Sequence, residues 1–205
     1  MTPRIAVLDY GIGNLGSVNN ALRHVGANAE LVTTPDAAAG AAGVVLPGVG
    51  AFGACMHALR ASGLDRVALD AVDNGTPLFA VCVGLQLLYD ASEESPEVGG
   101  LGVLPGTLSR LPAGVKHPQM QWNKVVAPAG RNTSSALMDA LGPDPWVYFV
   151  HSFAAPMSDA VVGVCDYGGE VVAAVEHGAV WAAQFHPEKS STAGLALLRA
   201  FAESL

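Results

Sequence analysis

Over its first ninety residues the chain alternates short apolar runs with stretches in which apolar side chains recur every three or four positions. Arg4 to Asp9 is an apolar run closed by Tyr10-Gly11, and Leu15 to Val25 follows with helical spacing and Gly26 placed to stop it. Glu30 to Thr33 predicts a second strand, Pro35 to Ala42 an Ala-rich helix, Val44 to Leu46 a third strand, and Phe52 to Ala61 and Leu64 to Val72 two more helices. Asn74-Gly75-Thr76-Pro77 turns the chain into another apolar run, Leu78 to Cys82, after which a helical pattern passes through Leu85, Leu87, Leu88 and Tyr89. Between Gly99 and Gly130 the periodicity fades into Gly- and Pro-rich sequence with strands expected at Thr107 to Leu111 and Gln121 to Val126. Later strands are expected at Trp146 to Val150, Val161 to Val164, Val171 to Val175 and Val180 to Phe185, and Ser191 to Leu205 reads as an amphipathic closing helix.

Strand and helix alternating through short joints predict an α/β fold of three layers, a mostly parallel central sheet with helices on both faces. The 205 residues, 51% of them apolar, suit one domain spanning 1–205. Ligands of such sheets bind beyond the carboxyl ends of the strands. Asp9-Tyr10-Gly11, Pro47-Gly48-Val49-Gly50 and Cys82 all stand at such ends and should share one rim.

Charge and composition narrow the function. A formal charge of −8 with only ten scattered Lys and Arg residues repels phosphate backbones, which excludes a nucleic-acid partner. No long apolar segment precedes Asp9, and the most apolar tract, Ala37 to Cys55, is broken by Gly40, Gly43, Pro47, Gly48 and Gly50; a soluble, unexported, cytoplasmic protein with no membrane contact is expected. Cys55, Cys82 and Cys165 are too widely spaced for a disulfide framework or a zinc site, and no His/Asp/Glu cluster has metal-ligand spacing. Asn132-Thr133-Ser134 matches a glycosylation sequon, to which no role attaches without export.

Three stretches carry candidate chemistry. Gly11-Ile12-Gly13-Asn14-Leu15-Gly16 is a literal dinucleotide-binding signature, with Asp36 at a plausible distance for a ribose contact. Against that use, Asp9 stands where a pyrophosphate must approach and Asp36 follows Pro35 instead of ending a strand, so the glycines are read as serving a tight turn. Cys82 sits on a strand-to-helix joint, which lifts a side chain clear of the sheet and aims free helix N–H groups at it; the bland reading is a small buried hydrophobe. Gln184-Phe185-His186-Pro187-Glu188-Lys189-Ser190 supplies what a thiolate nucleophile needs, a base in His186 and an acidic partner in Glu188 to fix its ring.

A-V-C-V-G-L-Q followed far downstream by Q-F-H-P-E-K-S resembles the class I (triad) glutamine amidotransferases, a flavodoxin-like family. D-Y-G-I-G-N-L, L-P-G-V-G-A-F-G at Leu46 to Gly53, M-Q-W-N at Met120 to Asn123 and Y-F-V-H-S at Tyr148 to Ser152 are similar to the glutaminase subunits of imidazole glycerol phosphate synthases, in family order over nearly the whole chain. The resemblance implies Cys82 as the nucleophile towards the glutamine amide carbon, His186 as the proton relay and Glu188 as its orienting partner. It implies the backbone N–H of Val83 as one oxyanion donor and that of Val49 or Gly50 as the second, with Gly50, Gln86, Glu94 and Ser152 around the glutamine head group. It further implies neither cofactor nor metal, and a separate (β/α)₈-barrel cyclase subunit as heterodimeric partner, towards which Asn14, Trp122 and Asn123 would face; a buried aromatic is the bland reading of Trp122. The chain departs from the family pattern at Ala80, where glycine is usual, at Gln119 and Gln121, which replace His and Gly, and at Phe153, where Tyr is frequent.

Overall fold

The computed structural model describes residues 2–130 and 134–205; Asn132 and Thr133 of the sequon lie outside them. In chain order the elements are β1 (Arg4–Leu8), α1 (Leu15–His24), β2 (Asn28–Val32), α2 (Pro35–Ala38), β3 (Gly43–Gly48), α3 (Phe52–Ala61), α4 (Leu64–Asp73), β4 (Leu78–Cys82), α5 (Val83–Leu87), β5 (Tyr89–Ser92), β6 (Leu104–Arg110), β7 (Gln119–Lys124), α6 (Ala136–Leu141), β8 (Trp146–His151), β9 (Phe153–Ala154), β10 (Val161–Asp166), β11 (Glu170–His177), β12 (Val180–Ala183) and α7 (Ser191–Glu203).

Seven strands form the central sheet in the order β10-β11-β12-β4-β3-β1-β2. The pairings among β12, β4, β3, β1 and β2 are parallel, while β11 runs antiparallel to both β10 and β12. β3 and β4 are buried along their whole length, as strands covered on both faces must be. The helices form two outer layers, α1 against α7 and α3 against α4, as the expected three-layer α/β architecture requires. Outside this sheet, β5, β6 and β9 form a small three-stranded sheet and β7 pairs with β8 in an antiparallel ribbon.

The first half follows the hydrophobic pattern to within a few residues, with two exceptions. The Ala-rich helix is a single turn, Pro35–Ala38, capped by Thr34, whose hydroxyl accepts from the Ala37 N–H. The helix after Cys82 is shorter than the pattern through Tyr89 suggests: it ends at Leu87, and Tyr89 opens β5. The N–H groups of Leu101, Val103 and Leu104 donate to the carbonyls of Leu87 and Leu88, taking the acceptors that a longer helix would use. Among the described residues no helix is long and apolar enough to cross a membrane.

Candidate active site

Cys82 ends β4 and adopts φ 56° and ψ −113°, a conformation that L-residues avoid. The surroundings that hold it there are glycines. A Cβ at Gly84 would stand 1.9 Å from the Leu46 carbonyl oxygen, and one at Gly48 would stand 2.7 Å from the Gly84 nitrogen and 2.9 Å from the Tyr10 hydroxyl. The ends of β3 and β4 therefore interlock, with Gly48 opposite Cys82 in register. Ala80 is fully buried between Leu46 and Ala182 of the neighbouring strands, so its extra methyl is accommodated within the sheet while Cys82 keeps its strained turn. The Val83 N–H opens α5, where no intrahelical acceptor exists for it.

The second half of the site comes from the segment after β12. The His186 N–H donates to the Tyr148 carbonyl at 2.9 Å and the Ser190 hydroxyl donates to the His186 carbonyl at 2.6 Å, which tie the backbone on both sides of the imidazole. Pro187 to Lys189 form one 3₁₀ turn that folds the Glu188 carboxylate back onto His186, Nδ1 to Oε1 at 2.9 Å. Both side chains are out of solvent, Glu188 completely. With Nδ1 so engaged, the buried Nε2 has no other partner and is left for the Cys82 sulfur. Burial pushes the His186 pKa down; the Cys82 sulfur and the Glu188 carboxylate outweigh it and carry it up to about 10, so the ring is an imidazolium at neutral pH.

These two halves meet in a cleft of about 450 Å³. Its lining brings together Cys82, His186, Val83, Val49, Gly50, Gln86, Glu94, Ser152 and Asn14, with Glu188 directly behind His186. The Asn14 amide reaches Glu188 Oε1 at 3.5 Å, which places the glycine-rich first loop on the cleft side of the sheet. Within that loop the Gly11 N–H donates to the Asp9 carboxylate at 3.0 Å, so the carboxylate serves the turn. Glu94 accepts from the Phe52 N–H at 2.7 Å, capping a helix whose own N-cap, Ala51, has no side chain to do so. It is thus held at the cleft wall and is not a freely solvated acid.

Gln86 is buried, and its amide nitrogen donates to the Phe153 carbonyl and to Gln184 Oε1, both at 3.0 Å. Only its side-chain oxygen is left to meet a ligand. At position 153, where a family hydroxyl is missing, the backbone carbonyl is what the site uses. Trp122 and Asn123 lie outside the cleft. Trp122 is 46% exposed, which rules out the buried-aromatic reading, and packs edge-on against Tyr148 with centroids 6.2 Å apart. Asn123 donates to the Asp166 carbonyl at 2.9 Å, joining β7 to the end of β10.

Three neighbours of the candidate triad escaped the sequence reading. Gln184 is fully buried and its amide points at the Cys82 sulfur from 3.9 Å; it stood in the quoted motif, but nothing in the pattern set it apart. His151 lines the cleft with Nδ1 2.9 Å from the Phe153 carbonyl and Nε2 3.0 Å from the Gln119 side-chain oxygen. Burial pushes the His151 pKa down to about 4, and the ring is neutral where His186 is charged. The substituted Gln119, itself fully buried, is accounted for by this contact and by its proximity to Cys165. Gln121 is exposed on β7. Lys189 lines the cleft mouth with its ammonium 5.9 Å from the Tyr148 ring centroid. Among the described residues no group of His, Cys, Asp and Glu could hold a metal ion.

Comparison with known proteins gives the family. The family model of class-I glutamine amidotransferases matches residues 6–204. The imidazole glycerol phosphate synthase subunit HisH of Methanothermobacter thermautotrophicus is 45% identical over 200 residues, covering 97% of this chain and 98% of that one. The chloroplastic imidazole glycerol phosphate synthase hisHF of Arabidopsis thaliana is 40% identical over 203 residues, which are 96% of this chain but 33% of that protein. Among solved structures, PurLQS from Thermotoga maritima shares the fold with a TM-score of 0.78 at 20% identity, covering 100% of this chain and 99% of that one. The chain belongs to the class-I glutamine amidotransferases, in the family of the imidazole glycerol phosphate synthase subunit HisH.

Proposed function

We propose that this chain, as one amidotransferase domain over residues 1–205, is the glutaminase subunit of an imidazole glycerol phosphate synthase, with Cys82, His186 and Glu188 as its catalytic triad. The observation that carries the reading is the buried His186–Glu188 pair at 2.9 Å, facing a cysteine held at positive φ over a cleft. Cys82 attacks the side-chain amide carbon of glutamine as the thiolate, forming a C–S bond as the carbonyl π electrons move onto oxygen. The Val83 N–H and a second amide from Val49 or Gly50 stabilise that oxyanion, and losing one such donor costs about 3 kcal/mol of barrier. His186, already protonated, delivers its proton to the amide nitrogen, the C–N bond breaks, and ammonia leaves the thioester. Water then attacks the thioester, giving up a proton to the now neutral His186; the C–S bond breaks and glutamate departs. Glu188 keeps Nδ1 protonated, so that Nε2 is the atom that exchanges protons. Glu94 takes the α-ammonium of glutamine, and Gly50, Gln86 and Ser152 its polar head.

Ammonia is passed to a separate (β/α)₈-barrel cyclase subunit, and the chain works as half of a heterodimer in the cytoplasm. The match to one third of a longer synthase chain supports a partner of about twice this length. The test is glutamate release from glutamine by the purified chain, alone and with such a cyclase. Turnover that rises with the partner and vanishes in Cys82→Ala is expected; full activity in Cys82→Ala overturns the triad. Stimulation by a different synthase subunit instead would overturn the pathway and leave the chemistry.

A further inference from the structure

Glu188 orients the His186 ring, but both belong to one 3₁₀ turn, so their pairing alone does not fix where Nε2 lies relative to Cys82 on β4. Contacts from outside the turn have to do that. The chain enters the turn from β12, which pairs with β4, and the His186 N–H donates to the Tyr148 carbonyl of β8 at 2.9 Å. One hydrogen bond of this kind is a pivot. Where the chain leaves the turn, the Tyr148 N–H donates to the Ser190 hydroxyl oxygen at 3.0 Å, and that hydroxyl donates to the His186 carbonyl at 2.6 Å. Tyr148 thus turns both of its backbone polar groups towards the histidine and grips it at two points.

Ser190 forgoes its ordinary local use to make this joint. It is the N-cap residue of α7, a position where serine usually accepts an N–H of the first turn, yet its side chain makes no capping bond. Ser191 beside it takes φ 51°, a region that L-residues rarely enter. A serine that does not cap, followed by a strained residue, marks a joint shaped by something other than the helix. Gly194 lets α7 lie flush on the turn, since a Cβ there would stand 1.9 Å from the Pro187 carbonyl oxygen. Ser190 is fully buried and does not line the cleft. We propose that Ser190 is a positioning residue for the candidate triad: its hydroxyl, withheld from the cap of α7, splices the His186 backbone onto β8 and so holds Nε2 towards the Cys82 sulfur. The kinetic consequence rests on the glutaminase reading; the joint itself does not.

The test separates positioning from mere stabilisation. Ser190→Ala leaves the His186 carbonyl with the Lys189 N–H, 3.0 Å away, but takes the acceptor from the buried side of Tyr148, while Ser190→Thr keeps the hydroxyl. Ser190→Ala should lower kcat for glutamine hydrolysis, measured with the cyclase present and well below the melting temperature, at least ~10-fold with KM unchanged. Ser190→Thr should restore most of it. Native kcat in Ser190→Ala overturns the positioning role however far its melting temperature falls, and an equal loss in a folded Ser190→Thr assigns the effect to packing and overturns it too. A second readout does not depend on turnover or on the threonine variant folding. The chain has four tyrosines, so ¹⁵N-tyrosine labelling isolates the Tyr148 amide, identified by its loss in Tyr148→Phe. Its hydrogen exchange should quicken at least ~10-fold in Ser190→Ala relative to the other three, whereas a general loss of stability would quicken all four in step. No selective change at Tyr148 overturns the joint. Selective quickening in a chain that hydrolyses no glutamine with any partner supports the joint and removes the glutaminase reading instead.

Discussion

Two histidines share the cleft in opposite charge states: a sulfur and a carboxylate hold His186 charged, whereas burial and the nearby His186 cation keep His151 neutral. His186 has a carboxylate on Nδ1 and a sulfur beyond Nε2; His151 has uncharged oxygens at both nitrogens, the Phe153 carbonyl and the Gln119 side-chain oxygen. Replacing Glu188 by Gln removes the anion but keeps the side-chain shape. The His186 pKa should then fall, and kcat should drop by about 10²-fold or more, most visibly as a shift of the pH–rate profile. Stability follows the same contrast. The unfolded pKa of His151 lies near 6.5 and its folded value near 4, so between these values the unfolded chain binds the extra proton and stability falls with pH. About 2 kcal/mol should be lost between pH 7.5 and pH 5. For His186 the folded pKa is the higher one, so its contribution is full below 6.5 and disappears as pH rises towards 10. Denaturant titrations at pH 5, 7.5 and 9.5 check both limbs, and His151→Asn should flatten the acid one alone.

The interlock of β3, β4 and α5 makes a sharper demand on sequence than any helix propensity does. Gly84→Ala forces a Cβ to 1.9 Å from the Leu46 carbonyl, and backbone on both sides leaves nothing flexible to yield. The substitution should cost several kcal/mol or prevent folding. Gly16, near the start of α1, has open space around it and no positive φ, so Gly16→Ala should stabilise by a few tenths to about 1 kcal/mol. Thermal unfolding of the two variants should show opposite signs. That the stretch from Pro47 to Gly50 and Cys82 share one rim was legible in the sequence because parallel strands with short joints leave few alternatives, although β3 runs two residues past the expected Leu46. The end of α5 was not. Leu87, Leu88 and Tyr89 are all fully buried, so they form an unbroken apolar run without periodicity, and the groups that end the helix arrive from residues 100–104. Gln184 was illegible for a related reason. It looks like filling until the strand that it faces is known. Helix α6 is only six residues long, and its cap, Ser135, is held by Glu176 from β11, a contact without local signature.

At the scale of the molecule, the ribbon of β7 and β8 joins the cleft to the outside. Its register sets Met120 opposite Val150, Trp122 opposite Tyr148, and Lys124 opposite Trp146. Successive side chains of a strand alternate between faces, so these six share one face. Val150 at one end lines the cleft, while Met120, Trp122 and Trp146 are 61%, 46% and 57% exposed. Exposed aromatic and Met side chains grouped beside a catalytic opening are what a protein interface selects. Ammonia made in the cleft reaches a second subunit without loss to water only if that subunit seats around the opening, and this face is the apolar surface beside it. Trp122→Ala and Met120→Ala should therefore each weaken association with the cyclase by about 10-fold or more. Leu31, 41% exposed on the β2 edge at the far end of the sheet, supplies the control: Leu31→Ala should leave association unchanged. Titration of labelled chain with cyclase reads the affinity. The rate of Cys82 alkylation in the free variants should match the native rate, because neither Trp122 nor Met120 lines the cleft. Equal affinities for all three variants would place the partner on another surface, and the ammonia would then need a route that does not pass the β7–β8 face.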